Sequence, residues 1–216
     1  MTALPLDTWQ LVALAGALGW ASGVRLYAVL FIVGGLGYLG WIPLPGKLDV
    51  LAHPYVLAAS GSMFAIEFFA DKIPGIDSLW DFMQTFVRIP AGAALAASVF
   101  GDSSAAWTVA AAILGGTLAT GSHLAKTGSR MAINTSPEPF SNWAASFGED
   151  IAVGVMLWLA WMHPIAALIV LALLVVFMAW LIRLVWRFVR ATIERLRSTF
   201  GGAHAGPQPR RLPHQP

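Results

Sequence analysis

The chain has 216 residues with a formal net charge of +2, and contains no cysteine. Only 11% of its residues are charged and 57% are hydrophobic, with a mean hydropathy of +0.70. A soluble domain carries about 25% charged residues, so this composition excludes a water-facing globule. The missing thiols exclude a disulfide framework and a thiolate metal site.

Three uncharged stretches, 26–46, 103–125 and 151–182, are each about long enough to cross a ~30 Å hydrocarbon core as helix. They are continuously apolar and do not alternate, which argues against a β-barrel and for helices. The expected fold class is therefore all-α, a polytopic helical transmembrane bundle. The first residues, MTALPLDTWQ, carry Asp7 and no positive charge, so the first apolar run reads as a retained helix and not a signal peptide. In chain order, spans are expected near 8–23, 26–42, 52–70, 79–100, 104–125, 147–162 and 164–183. The first two and the sixth are short for full crossings, giving six or seven spans with broken or re-entrant helices.

Polar residues gather at three junctions. The first is Ser22 to Tyr27. The second runs from Glu67 through Asp71, Lys72, Asp77 and Asp81 to Arg88. The third runs from Lys126 through Arg130, Asn134, Glu138 and Asn142 to Glu149 and Asp150. Within the second, Pro74-Gly75 signals a turn. Ser78 to Asp81 and Ser146 to Glu149 match the helix-starting pattern in which serine and acid cap backbone N–H groups. That reading gives Asp81 and Glu149 an ordinary structural role. Asp77 or Asp81 with Thr85 and Arg88 would form a polar stripe on one helix. Glu67 lies one turn inside the preceding one, where Glu67 or Asp71 is placed to pair with Arg88. A charge inside the membrane costs about 2.5–3.5 kcal/mol on insertion scales and faces a cavity or an opposite charge.

Two readings of these charges stand side by side. In the structural one they are packing pairs and positive-inside anchors. In the functional one Arg25, Arg88, Lys126, Arg130 and Asn134 bind an anionic substrate, and Glu67, Asp71, Asp77 and Asp81 take up a proton or cation. Arg25 and Arg130 each follow a Gly-containing break, SGVR at 22–25 and TGSR at 127–130, where freed N–H groups and a guanidinium can hold phosphate or carboxylate. These two segments, and the alternative pair SGSMFA at 60–65 and TGSHLA at 120–125, suggest an internal repeat of the kind found in transporters.

The segments SGVRLY, EFFADKIPGIDSLWD with the later RIPAGA, and NTSPEPFSN followed by GED resemble an uncharacterised family of multi-pass membrane proteins, domain of unknown function 4126. The likeness runs over roughly residues 10–185. It implies a helical membrane domain and no established activity, and it carries no residue roles.

Seven of the 13 Lys and Arg lie beyond residue 180. This bias places the C-terminus in the cytoplasm and the chain in the inner (plasma) membrane. Residues 1–182 form the membrane domain. Residues 183–197 extend the last helix as a basic amphipathic segment, either a topology anchor or a contact with anionic lipids of the bilayer. Residues 198–216 are expected to be a disordered tail. The five His share no metal-ligand spacing, and His53 and His163 read as helix-end residues before proline. Asn134-Thr135-Ser136 is read as a chance glycosylation sequon. No metal, cofactor, nucleotide loop, nucleic-acid partner or nucleophile motif is read. The expected function is a small transporter or flippase for an anionic amphiphile or solute. A non-transporting scaffold is the alternative, and a lipid-phosphate enzyme ranks behind both.

Overall fold

The computed structural model describes residues 6–73, 75–134 and 139–201. Six α-helices follow in order: α1 Thr8–Tyr38, α2 Pro54–Ala70, α3 Ile76–Val99, α4 Ala105–Ile133, α5 Pro139–Met162 and α6 Pro164–Gly201, with a short 3₁₀ helix, Leu48–Ala52, before α2. Five of the six are long and apolar enough to cross a membrane. The exception, α2, has 17 residues, or about 25 Å at 1.5 Å per residue.

The stretches expected as two spans, 8–23 and 26–42, are instead one helix. Nothing between them can reverse the chain, since SGVR offers a local irregularity and no turn. The result is a single non-helical residue, Arg25 (φ −147°, ψ 71°), inside a helix of 31 residues. A capping box starts α1: Asp7 accepts from Gln10 N at 2.7 Å and Gln10 accepts from Asp7 N at 2.9 Å, satisfying two otherwise unpaired backbone donors. The remaining expected spans fall on α2 to α6, but α4 ends later and α5 begins earlier than hydropathy indicated, so Lys126, Arg130, Asn142 and Ser146 are helical.

The middle of α1 is the core of the bundle. From Ala13 through Leu26 every residue is buried, most at 0–1% exposure. This helix is built from Ala and Gly, and the helices around it meet it at small residues of their own. A Cβ at Gly19 would lie 2.5 Å from Gly115 Cα on α4, and one at Gly92 on α3 would lie 2.5 Å from Ala119 Cβ. At Gly23 a Cβ would overlap the Ser122 hydroxyl and the Ala119 carbonyl. Hydrocarbon gives helices no hydrophobic reason to associate, so close backbone packing of this kind holds α1, α3 and α4 together. Ser122 adds a bond of 2.7 Å to the Trp20 carbonyl. Large apolar side chains such as Phe86, Ile113, Trp158 and Val176 point outward and are exposed, the pattern of a lipid-facing surface.

Candidate functional site: a buried ion-pair network at the α1 break

A break in a packed helix leaves backbone groups without partners, and here side-chain charges fill the gap. Val24 O, just before Arg25, accepts from Lys126 Nζ at 3.1 Å. Arg25 is fully buried and reaches two other helices. Its NH1 lies 3.0 Å from Asp71 Oδ2 at the end of α2, its Nε lies 3.1 Å from Asp150 Oδ1 and 3.5 Å from Glu149 Oε2 on α5, and its NH2 donates to Ser146 Oγ at 2.6 Å.

Arg130 closes the same side of the network. It donates to Glu149 Oε1 from Nε at 3.2 Å and from NH2 at 3.0 Å, and its NH1 donates to the carbonyls of Asp71 (3.2 Å) and Asn142 (3.1 Å). A second group surrounds Arg88, two residues before Pro90 on α3. There NH2 pairs with Glu67 and NH1 with Asp81 Oδ1 at 2.8 Å. Arg88 NH1 also approaches His123 Nδ1 at 3.3 Å. A guanidinium only donates, so Nδ1 is the acceptor and the ring proton sits on Nε2, directed at Thr85 Oγ1 2.7 Å away.

Lys126 joins the two groups. Its Nζ lies 2.9 Å from Asp71 Oδ2, 3.4 Å from Asp81 Oδ1, 3.4 Å from Glu149 Oε2 and 3.9 Å from Glu67 Oε1. Arg25, Glu67, Asp71, Asp81, Arg88 and Arg130 are 0% exposed and Lys126 4%. Lys72 stands at the rim, its ammonium 3.0 Å from the centre of the Phe68 ring and 3.0 Å from the Phe68 carbonyl. Burial and the neighbouring Arg25 push its pKa below the usual lysine value. Burial raises the Asp71 carboxyl, but Lys126, Arg25 and Arg130 outweigh it and hold the pKa below the ordinary value.

The pairing is dense but imperfectly aligned. Glu67 Oε2, Asp71 Oδ1, Asp81 Oδ2 and Arg88 Nε are buried with no hydrogen-bond partner. Arg25 Nε and Asp150 Oδ1 are in the same state although only 3.1 Å apart, so their attraction is Coulombic and not directional.

Seven of the nine candidates from the sequence thus meet in one network: Arg25, Arg88, Lys126, Arg130, Glu67, Asp71 and Asp81. The other two, Asp77 and Asn134, form their own pair. Asn134 Nδ2 lies 2.9 and 3.0 Å from the two Asp77 oxygens, and Asn142 links them to Arg130 through Asn134 Oδ1 at 2.8 Å. Glu67 does pair with Arg88, whereas Asp71 pairs with Arg25 and Lys126. The helix-start roles of Asp81 and Glu149 are overturned. Here α3 starts at Ile76 after Gly75 (φ +87°), α5 starts at Pro139, and both acids lie inside their helices in ion pairs. By contrast His53 behaves as expected, capping α2 through Tyr55 N at 3.3 Å. Glu138 and the tail from residue 202 lie outside the described residues.

His123, Gln84, Asn142 and Ser146 were not singled out as site residues. Their signal was spacing: 142, 146, 149 and 150 on α5, and 119, 122, 123, 126 and 130 on α4, each mark one helical face. With the Arg and Lys cations in place, no group of three or more His, Asp or Glu among the described residues is arranged to hold a metal ion. Beside the network, a cavity of about 300 Å³ is lined by Tyr27, Leu30, Tyr55, Val56, Ala59, Ser60 and Met63. The Tyr27 hydroxyl donates to Gln84 Oε1 at 3.1 Å, one turn from Arg88.

Apolar helices around a buried, multi-helix charge network define a multi-pass helical membrane protein. The chain belongs to the family described as domain of unknown function (DUF4126), which matches residues 12–184. That match covers the buried cations Arg25, Arg88, Lys126 and Arg130 and the carboxylates that hold them. Comparison with curated proteins and with solved structures gives no match.

Proposed function

We propose that this protein is a small carrier or flippase for an anionic amphiphile, working at the break in α1. The reading rests on Arg25, a fully buried guanidinium at a non-helical position, contacted by acids from two other helices. Burying so many charges is expensive, and well-packed apolar residues give at least as much stability, so stability alone does not account for the network. A broken helix with charges from several neighbours is the arrangement in which transporters bind ions at mid-membrane. In the paired state carboxylates occupy the guanidinium groups of Arg25, Arg88 and Arg130, and an incoming phosphate or carboxylate would displace them. Asp71 and Glu67 would then take up a proton or another cation. The apolar cavity behind Tyr27 suits an acyl chain, which favours an amphiphile over a small solute. The basic end of α6, with Arg183, Arg187 and Arg190 exposed, would lie against anionic lipids on the cytoplasmic face of the plasma membrane.

The test is lipid exchange in vesicles. Proteoliposomes carrying fluorescent phosphatidylglycerol or phosphatidylcholine are treated with dithionite, which bleaches only the outer leaflet. Bleaching of phosphatidylglycerol beyond the protein-free level, and its loss in Arg25→Gln, supports the reading. Traces identical to protein-free vesicles for both lipids refute it. The scaffold reading draws on α6, which runs to Gly201 beyond its span, and predicts that only shortening α6 disturbs function.

A further inference from the structure

Lys126 differs from the three arginines in the shape of what surrounds it. Five oxygens from four helical segments converge on one nitrogen: Val24 O at 3.1 Å, Asp71 Oδ2 at 2.9 Å, Asp81 Oδ1 and Glu149 Oε2 at 3.4 Å, and Glu67 Oε1 at 3.9 Å. Only Val24 and Asp71 receive aligned hydrogen bonds from Nζ. Lys126 reaches the remaining three by charge alone, while Asp81 Oδ1 and Glu67 Oε1 take their directional bonds from Arg88, so toward this shell the ammonium acts as a nearly spherical cation. An unwound-helix carbonyl combined with carboxylates is an oxygen set that hard cations take in membrane carriers. Asp71 Oδ1, Asp81 Oδ2 and Glu67 Oε2 are fully buried beside it with no hydrogen-bond partner. These are the second oxygens of the carboxylates that form the shell, so the three acids hold more acceptor capacity than Lys126, Arg25 and Arg88 together use.

We propose that the cage formed by Val24, Glu67, Asp71, Asp81 and Glu149 is a monovalent-cation site whose resident cation is the tethered Lys126 ammonium. Its nitrogen–oxygen distances begin at 2.9 Å, longer than the 2.3–2.6 Å of a calcium shell. The free ions that fit are accordingly large and singly charged, namely ammonium, methylammonium and potassium. With the cation supplied by α4, the network assembles in any monovalent salt. Removing the side chain would convert the protein into one that requires such an ion. This inference goes beyond the carrier reading and is measured without transport, so either can fail alone.

The experiment compares thermal unfolding of the full chain in nanodiscs at constant ionic strength in choline, ammonium, methylammonium, potassium and sodium chlorides. The wild type is expected to unfold at one temperature in all five. Lys126→Ala is expected to unfold about 10 °C lower in choline, and to regain at least half of that loss, saturably, in ammonium or potassium. Lys126→Met, whose side chain fills the cage without charge, is expected to stay low in every salt. Combining Lys126→Ala with Asp71→Asn removes one charge of each sign, and should lower the affinity of the rescue at least tenfold. Equal unfolding of Lys126→Ala in choline and in all four other salts overturns the proposal. So does failure to recover that variant folded in any of them, or rescue of Lys126→Met to the same extent.

Discussion

Replacing Arg88 with Met is the sharpest test of whether the buried network holds the bundle together. Arg88 NH1 and NH2 neutralise Asp81 and Glu67, and all three side chains are 0% exposed. Met retains most of the aliphatic volume, so the change is mainly one of charge. Two carboxylates are then left buried, with Lys126 the remaining cation within 4 Å, at 3.4 Å from Asp81 and 3.9 Å from Glu67. Removing one partner of a buried pair costs about 3–5 kcal/mol, because the charge left behind has lost both water and counter-ion. At roughly 2–4 °C per kcal/mol, that is a fall on the order of 6–20 °C in unfolding temperature. Adding Glu67→Gln to Arg88→Met removes one of the stranded charges. The double variant should regain about 1–3 kcal/mol relative to the sum of the single changes. The assay is thermal unfolding in nanodiscs, followed by tryptophan fluorescence. An Arg88→Met protein within about 1 °C of wild type, or strict additivity of the two changes, refutes the claim that these charges are energetically coupled.

Gly23→Val should prevent the close approach of α1 to α4, because even a Cβ there overlaps Ser122 and Ala119. A loss of at least about 3 kcal/mol or failure to recover folded protein is expected, read by size-exclusion profile. Gly35→Ala on the same helix, where a Cβ meets nothing within 4 Å, should be neutral. Asn134→Ala strips Asp77 of its side-chain donor but leaves the backbone donors Gly75 and Ser78. A cost of about 1–3 kcal/mol is expected, with hydrogen exchange rising at the start of α3 and not at Arg88. Asp71, its pKa lowered against burial by Lys126, Arg25 and Arg130, contributes stability that is fully present above its unfolded value of about 3.9. That contribution is lost only as pH falls through the still lower folded value. Asp71→Asn should therefore lower the unfolding temperature by the same amount at pH 6 and pH 8, and a deficit that differs between them contradicts the assignment.

The class of fold was legible because lipid imposes it: long uncharged runs without alternation leave only helices. Element ends were less legible, since hydropathy reports where lipid contact stops and not where hydrogen bonding stops. Lys126 and Arg130 continue α4 because their charges find partners inside the bundle, so no water interface is needed to end the helix. The same physics misled the reading of Ser78 to Asp81 and Ser146 to Glu149. A serine followed by an acid looks like a cap locally, and only the neighbouring helices reveal that each acid faces an arginine. Conversely, Arg25, Glu67 and Arg88 stood out in the sequence because charges amid apolar residues need a reason to be there. His123 was missed because a neutral imidazole in an apolar run is not costly enough to draw notice.

On the carrier reading, the charges around the α1 break form a site that an anion can reach. The absence of native cysteine permits a direct measurement. Single cysteines at Ser60, in the wall of the cavity beside Tyr27, and at Thr85, bonded to His123, are labelled in native membranes with a charged, membrane-impermeant thiol reagent. Labelling is expected at both positions from at least one side, slowed several-fold by dodecyl phosphate, with the slowing abolished by Arg88→Gln. Both cysteines unreactive from either side, or labelled at rates that dodecyl phosphate leaves unchanged, would contradict it and leave the network as internal scaffolding.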